Sequence, residues 1–146
     1  MSVIAWDGKM LAADRRAGTS CPRSVTKIRR AANGNLMGAS GNAQGDQELM
    51  RWYDLGADPI TFPATQRLAD ENYSMLLVIE RGSNRIMQYC GYPTPAVFED
   101  AQFAMGSGRD FALMAMLLGK TARDAVILTS ELCAECGNGY DMLEFD

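Results

Sequence analysis

Short apolar runs separated by turn residues make up much of the chain and predict β-strands. Such runs lie at residues 3–6, 10–13, 25–30, 35–40, 73–80, 85–90 and 141–145. The first two flank Asp7 and Gly8, a pair typical of tight hairpin turns because both residues tolerate a positive φ. Residues 15–24 contain Gly, Thr, Ser and Pro without periodicity, so we expect a loop there.

Helical periodicity first appears in the middle of the chain. Leu49, Trp52 and Tyr53 follow the i, i+3, i+4 spacing of one helix face. This spacing predicts a helix from Asp46 to Leu55, and Gly56 is suited to end it.

Two further helices are predicted after residue 108. The first is apolar nearly all round, so we expect it to be buried on both sides. Its two faces carry Phe111, Met114 and Leu118, and Leu113, Met116 and Leu117. In the second, Thr121 and Asp124 have the spacing of an N-terminal capping box.

The order of these elements predicts the fold class. Strands, a helix, strands, two helices and a strand follow one another in blocks, which favours α+β layers over alternating βαβ units. The 146 residues are 47% apolar and 22% charged, an ordinary globular composition. We therefore expect a single domain over residues 1–146.

Charge and composition argue against several classes of partner. The net charge of −4 predicts no broad attraction to nucleic acid or to anionic membranes. The apolar runs are too short to span a bilayer, and the N-terminal residues lack the regions of a signal peptide, so a cytoplasmic location is expected.

Four cysteines are present, and without export signals we expect reduced thiols. Cys133 and Cys136 have the spacing of a metal or redox pair, but they follow a predicted helix and no second pair completes a zinc site. No metal or cofactor is expected, and buried reduced thiols are the simpler interpretation of these cysteines.

The sequence contains no histidine, which restricts the possible enzymatic chemistry. The usual serine and cysteine triads and most catalytic zinc sites require that residue. An N-terminal nucleophile avoids the requirement, because its own α-amine accepts the proton and titrates at about 7.7 to 8.0 in model compounds. Ser2 would become such a residue if Met1 were removed, although many proteins begin with these two residues.

Several motifs together give a more specific indication. They are "AADRRA", "VTKI", "LMGASGNAQ" and "AMGSGRDFA", in that order along the chain. In this order they resemble the proteasome β-subunit family of N-terminal nucleophile (Ntn) hydrolases, and its bacterial branch HslV most closely. The resemblance spans nearly the whole chain and implies a four-layer αββα sandwich whose members assemble into rings.

The resemblance implies roles for six residues. Ser2 matches the nucleophile, Lys27 the catalytic lysine, and Asp14 the aspartate that orients this lysine. Ser107 matches a serine that hydrogen-bonds the terminal amine. Backbone N–H groups at Ser40 and Gly41 match the turn that forms the oxyanion hole.

Some positions depart from the family pattern. The first glycine of the oxyanion turn is Ser40 here. Near the C-terminal end the family usually has Asp-x-x-Ser-Gly, where this chain has Cys133-Ala-Glu-Cys136-Gly137 and Glu135 is displaced. At the N-terminal strand, alignment by apolar pattern places Met1 at the nucleophile position, whereas one deletion in the strand restores Ser2.

Two functions therefore follow from the sequence. The first is a peptidase subunit that hydrolyses peptides or unfolded proteins inside a homo-oligomeric ring, with an AAA+ unfoldase as a possible partner. The alternative is a catalytically inactive structural or accessory subunit with the same fold, for example in a phage particle, which would make it a virion component.

Overall fold

The computed structural model describes residues 2–18, 20–68 and 73–146. The α-helices are α1 (Ala43–Asp54), α2 (Arg109–Leu117) and α3 (Ala122–Leu132). The strands are β1 (Ile4–Trp6), β2 (Met10–Asp14), β3 (Arg16–Ala17), β4 (Arg23–Ser24), β5 (Ile28–Arg30), β6 (Leu36–Ser40), β7 (Met75–Ile79), β8 (Ile86–Cys90), β9 (Ala96–Phe98), β10 (Phe103–Met105) and β11 (Tyr140–Glu144). Helices and antiparallel strands occur in separate blocks, so the predicted α+β class is confirmed.

The chain divides into two compact units, and the first consists of the chain up to Ile28 together with Asp100 onward. Its sheet has the strand order β10-β1-β2-β11, with antiparallel pairs throughout. Helices α2 and α3 pack on this sheet through small side chains such as Ala5, Ala12, Ala112 and Ala125, which allow close approach. The Asp7 carboxylate at the β1–β2 turn accepts the Ala122 N–H at 2.7 Å and so ties this hairpin to the start of α3.

The second unit comprises Arg29–Glu99. Its sheet has the order β5-β6-β7-β8-β9, and α1 packs on β6 and β7. The Trp52 ring lies edge-on to Phe62 and Tyr89, with centroid distances of 5.0 and 5.2 Å. Burial of these rings with the apolar faces of β6 and β7 forms the core of this unit.

Three sequence expectations differ from the structure in detail. Helix α1 begins at Ala43 because the Asn42 side chain accepts the N–H groups of Gln44 and Gly45, a cap that precedes the apolar periodicity. The region 15–24, expected as a loop, contains the short β3–β4 hairpin. The strand expected from residue 25 begins only at Ile28, so Lys27 precedes it.

The expected burial of α2 on both sides is wrong for the single chain. Only Ala112 and Met116 of α2 are buried. Met114 and Leu117 are 58% and 67% exposed, because one sheet and one neighbouring helix cover only one side of α2. The opposite side of the helix is apolar and uncovered within this chain.

Candidate active site

The backbone of Ser2 is held by the turn that precedes α2. The Ser2 N–H donates to the Ser107 Oγ at 3.1 Å, and the Ser2 carbonyl accepts the Gly108 N–H at 3.1 Å. The Ser107 hydroxyl also reaches the same carbonyl at 3.4 Å. Ser107 is thus next to the nitrogen that would become the α-amine of a processed Ser2.

This arrangement requires glycine on both sides of Ser107. A Cβ on Gly106 would lie 2.2 Å from the Ser2 carbonyl oxygen, and the φ of Gly106 is +98°. A Cβ on Gly108 would lie 2.5 Å from the Thr129 Cγ2. The "GSG" motif therefore lets the turn approach the Ser2 backbone closely.

Asp14 is fully buried at the end of β2 and accepts four hydrogen bonds. Its Oδ1 accepts the Val3 N–H at 3.0 Å and the Lys27 Nζ at 2.7 Å. Its Oδ2 accepts the N–H groups of Gly137 at 3.0 Å and Arg16 at 3.3 Å. A carboxylate only accepts, so four converging donors match its ionised form and fix its orientation.

Lys27 forms a buried ion pair with Asp14. Its side chain is 6% exposed, and that of Asp14 is 0% exposed. The residue following Ser2 and the ammonium of Lys27 share a single carboxylate oxygen, Oδ1 of Asp14. The ion pair with Asp14 therefore holds the lysine charge close to Val3, the residue that follows Ser2.

A turn after α3 completes the surroundings of Asp14. Cys136 N–H donates to the Cys133 carbonyl at 3.1 Å, and the next residue, Gly137, binds Asp14 through its N–H and Arg15 N–H through its carbonyl at 3.0 Å. Glu135 is exposed. Burial, with the Cys133 thiol and the Asp14 charge nearby, raises the pKa of the Cys136 thiol to about 12.

These supporting groups were missed by motif reasoning because backbone N–H groups leave no signal in residue identity. The contribution of Gly137 comes from its main chain, which a comparison of residue types at positions 133–137 does not detect. The departure from Asp-x-x-Ser-Gly therefore still leaves one backbone hydrogen bond to Asp14.

The structure thus brings Ser2, Asp14, Lys27 and Ser107 together in the first unit. Ser40 ends β6 in the second unit, and Gly41 follows it with a φ of +153°. A Cβ on Gly41 would lie 2.7 Å from the Ser74 Oγ, so glycine is required there. Met1, the alternative at the nucleophile position, lies outside the described residues.

Other classes of site find little support in the described ranges. Residues 2–18, 20–68 and 73–146 contain no group of three or more His, Cys, Asp or Glu side chains arranged to hold a metal ion. No helix in this part of the chain is both long and apolar enough to cross a membrane.

Comparison with solved structures shows strong likeness over the whole chain. Eukaryotic HslV from Trypanosoma brucei superposes with a TM-score of 0.70 at 18% identity, covering 97% of each chain. Thiobacillus denitrificans BPH gives a TM-score of 0.67 at 16% identity, covering 99% of this chain and 98% of that one. Its complex with epoxomicin gives 0.65 at 17% identity, with the same coverage.

In sequence the likeness is much weaker. No protein-family model matches the chain, and no curated protein matches it. The structural likeness confirms the expected fold, that of HslV and the proteasome-like subunits. At these identities it shows the fold alone.

Proposed function

We propose that this chain, with its HslV-like fold, is an N-terminal nucleophile peptidase subunit in which Ser2, released by cleavage before it, attacks peptide bonds. The observation that carries the proposal is the sharing of Asp14 Oδ1 by the Val3 N–H and the Lys27 ammonium. This pairing is buried, and the desolvation cost of a buried charge pair favours a functional role for the two charges.

The proposed reaction begins with Ser2. Its Oγ attacks the carbonyl carbon of the substrate while its α-amine accepts the hydroxyl proton. The amine then returns this proton to the leaving nitrogen, and water hydrolyses the resulting ester by the same route. Ser107 Oγ orients the amine, since it already accepts a hydrogen bond from the Ser2 nitrogen.

Lys27 and Asp14 support this step electrostatically. The ammonium favours the neutral form of the nearby amine and stabilises negative charge on the attacking oxygen. Asp14 fixes the lysine, and its hydrogen bond from Val3 N–H fixes the residue after the nucleophile. We regard Asp14 and Ser107 as positioning residues.

Oxyanion stabilisation is assigned to backbone N–H groups at Ser40 and Gly41. Preorganised backbone donors of this type lower the free energy of a tetrahedral intermediate because they need no reorganisation. The side chain at Ser40 does not remove the backbone N–H. This assignment rests on the family resemblance.

A homo-oligomeric ring is the proposed assembly. Helices α2 and α3 expose a group of large apolar side chains, and such patches usually mark interfaces. They are Phe111, Leu113, Met114, Leu117, Ile127, Leu128 and Leu132. Peptides or unfolded proteins are the proposed substrates, an AAA+ unfoldase a possible partner, and the cytoplasm the proposed location.

The test is reaction with an epoxyketone such as epoxomicin, with which Thiobacillus denitrificans BPH was solved. Intact mass first establishes whether the residue before Ser2 has been removed. Protein that begins at Ser2 should then gain the mass of one inhibitor, and Ser2→Ala protein should not. Ser20→Ala, at an exposed serine, is the matched control and should react like the parent protein.

The inactive structural subunit is the second candidate. It is favoured by Ser40 and Cys136, which replace a glycine and a serine of the family pattern. It predicts an intact oligomer. It also predicts that even protein that begins at Ser2 forms no inhibitor adduct and hydrolyses no peptide. Turnover that Ser2→Ala abolishes would exclude it.

A further inference from the structure

We propose that Cys133 and Cys136 form a reversible disulfide that switches the Asp14 site, so that oxidation lowers the reactivity of Ser2. The switch of reactivity rests on the proposed function, whereas formation of the disulfide does not. Four observations in the first unit support it, concerning the turn, the two thiols, Gly108 and Gly137.

The backbone at this pair already has a geometry that permits a disulfide. Cys136 N–H donates to the Cys133 carbonyl at 3.1 Å, which closes a four-residue turn. Turns of this kind hold their end Cα atoms less than about 7 Å apart, and disulfides usually span about 4.4 to 6.8 Å. The Cα atoms of this pair are therefore within the range that a disulfide spans.

The thiols also differ in accessibility, as an attacking and a resolving thiol should. Cys133 is half-buried, whereas Cys136 is 3% exposed. Burial, together with the neighbouring Cys133 thiol, raises the pKa of the Cys136 thiol. Cys133 is thus the attacking thiol, which a reagent in solvent can reach, and Cys136 is the resolving thiol.

The chemistry is a two-step exchange with a small-molecule disulfide as oxidant. The Cys133 thiolate attacks one sulfur of the oxidant and releases its first thiol, which leaves a mixed disulfide. The Cys136 sulfur then attacks Cys133 Sγ, loses its proton and releases the second thiol. Two protein thiols are oxidised and one disulfide is reduced to two thiols.

The Cys136 sulfur packs directly beside the elements that hold Ser2. A Cβ on Gly108 would lie 3.0 Å from Cys136 Sγ and 3.1 Å from Val3 Cβ. Gly108 donates its N–H to the Ser2 carbonyl. An S–S bond is only about 2.0 Å long, so we expect its formation to draw the Cys136 sulfur away from this place beside Gly108.

Gly137 carries the same movement to Asp14. It follows Cys136 directly, and it contributes one of the four hydrogen bonds to the Asp14 carboxylate. We expect bridging to shift this turn, to lengthen the hydrogen bond from Gly137 to Asp14 Oδ2 and to loosen the carboxylate that holds Lys27. Misplacement of a catalytic group by about 1 Å can reduce a rate by about a hundredfold.

The experiment uses the full chain equilibrated in buffers with fixed ratios of reduced to oxidised glutathione. Free thiols are trapped with N-ethylmaleimide, and peptide masses report whether Cys133 and Cys136 are linked. In oxidising buffer we expect the link to form and the rate of epoxyketone addition at Ser2 to fall at least about tenfold. Dithiothreitol should restore the rate.

Matched variants separate this pair from the other thiols. Cys133→Ser should react equally fast in both buffers, whereas Cys21→Ser, at an exposed cysteine, should respond like the parent chain. Absence of a Cys133–Cys136 link in oxidising buffer overturns the proposal. A link that leaves the rate unchanged overturns the coupling to Ser2.

A second readout keeps the inference independent of activity. Amide hydrogen exchange at Gly137 and Val3 should be at least about tenfold faster in the oxidised protein, because both N–H groups bind Asp14. If the reduced protein fails to react with the epoxyketone, the proposed function fails. Unchanged exchange in linked protein overturns the switch itself.

Discussion

Gly106 approaches Ser2 so closely that a Cβ on the glycine would lie 2.2 Å from the serine carbonyl oxygen. The obstacle is backbone and not a flexible side chain, so it cannot be relieved by a rotamer change. The turn before α2 is therefore built around the Ser2 backbone.

Replacement of Gly106 should consequently lower both the peptidase activity and the free energy of unfolding. Gly106→Ala destabilises the folded chain in two ways. The new Cβ contacts the Ser2 carbonyl oxygen, and a left-handed conformation costs a residue with a Cβ about 1–2 kcal/mol. Gly119→Ala is the matched control, because Gly119 has a similar φ of +95° but nothing within 4 Å of its Cβ position. Urea unfolding should show a clearly larger loss for Gly106→Ala; equal losses would contradict the close approach.

Removal of either member of the buried ion pair should destabilise the fold. We expect Lys27→Met and Asp14→Ala to cost about 3–5 kcal/mol of unfolding free energy, since each leaves a buried charge. Asp14→Ala should be the costlier, because it also deprives the N–H groups of Val3, Arg16 and Gly137 of their acceptor. Thermal and urea denaturation measure both variants, with Lys9→Met at an exposed lysine as control.

Ser107→Ala should lower the rate of acylation with little effect on the fold. Ser107 is an exposed residue, so loss of its hydrogen bonds to the Ser2 backbone should cost about 1 kcal/mol of stability. Loss of the group that orients the Ser2 amine should reduce kcat about tenfold. A peptide assay at saturating substrate measures this; a rate equal to that of the parent chain would mean that the amine is oriented by other groups.

Cys136 should make stability fall in alkaline solution. Its folded pKa is raised from 9.0 to about 12, so the folded state retains a proton that the unfolded state loses above pH 9. The stabilisation from this thiol is complete below pH 9 and is lost as the pH rises towards 12.

The matching measurement compares the parent chain with Cys136→Ala by urea unfolding at pH 8 and pH 10. Between these pH values, the free energy of unfolding of the parent chain should fall by about 1 kcal/mol more than that of the variant. Cys21→Ala, at an exposed thiol, is the control. The interpretation of a buried, protonated thiol fails if the parent chain and Cys136→Ala respond alike.

Charge on the uncovered side of α2 should break the proposed ring. Leu117 is 67% exposed, and Leu117→Glu should convert the proposed oligomer to smaller species by making burial of this surface unfavourable. Leu55 is 76% exposed and lies outside α2 and α3, so Leu55→Glu should leave the mass of the particle in solution unchanged. Light scattering after gel filtration distinguishes the two results.

The sequence by itself determined most of the strands, the three helices and the fold class, because these follow from local periodicity and capping. The apolar runs of β7 and β8 and the Thr121 cap of α3 are examples, since each signal lies within a few residues. Family motifs also indicated Ser2, Asp14, Lys27 and Ser107 as candidate site residues.

Only the tertiary structure decided which groups meet around Asp14. Val3 and Lys27 converge on one carboxylate oxygen, and Gly137 reaches the other from a turn more than a hundred residues away in sequence. Two of these three donors are backbone N–H groups, which every residue except proline possesses. Their positions depend on how the chain folds back on itself, so residue identity alone could not reveal them.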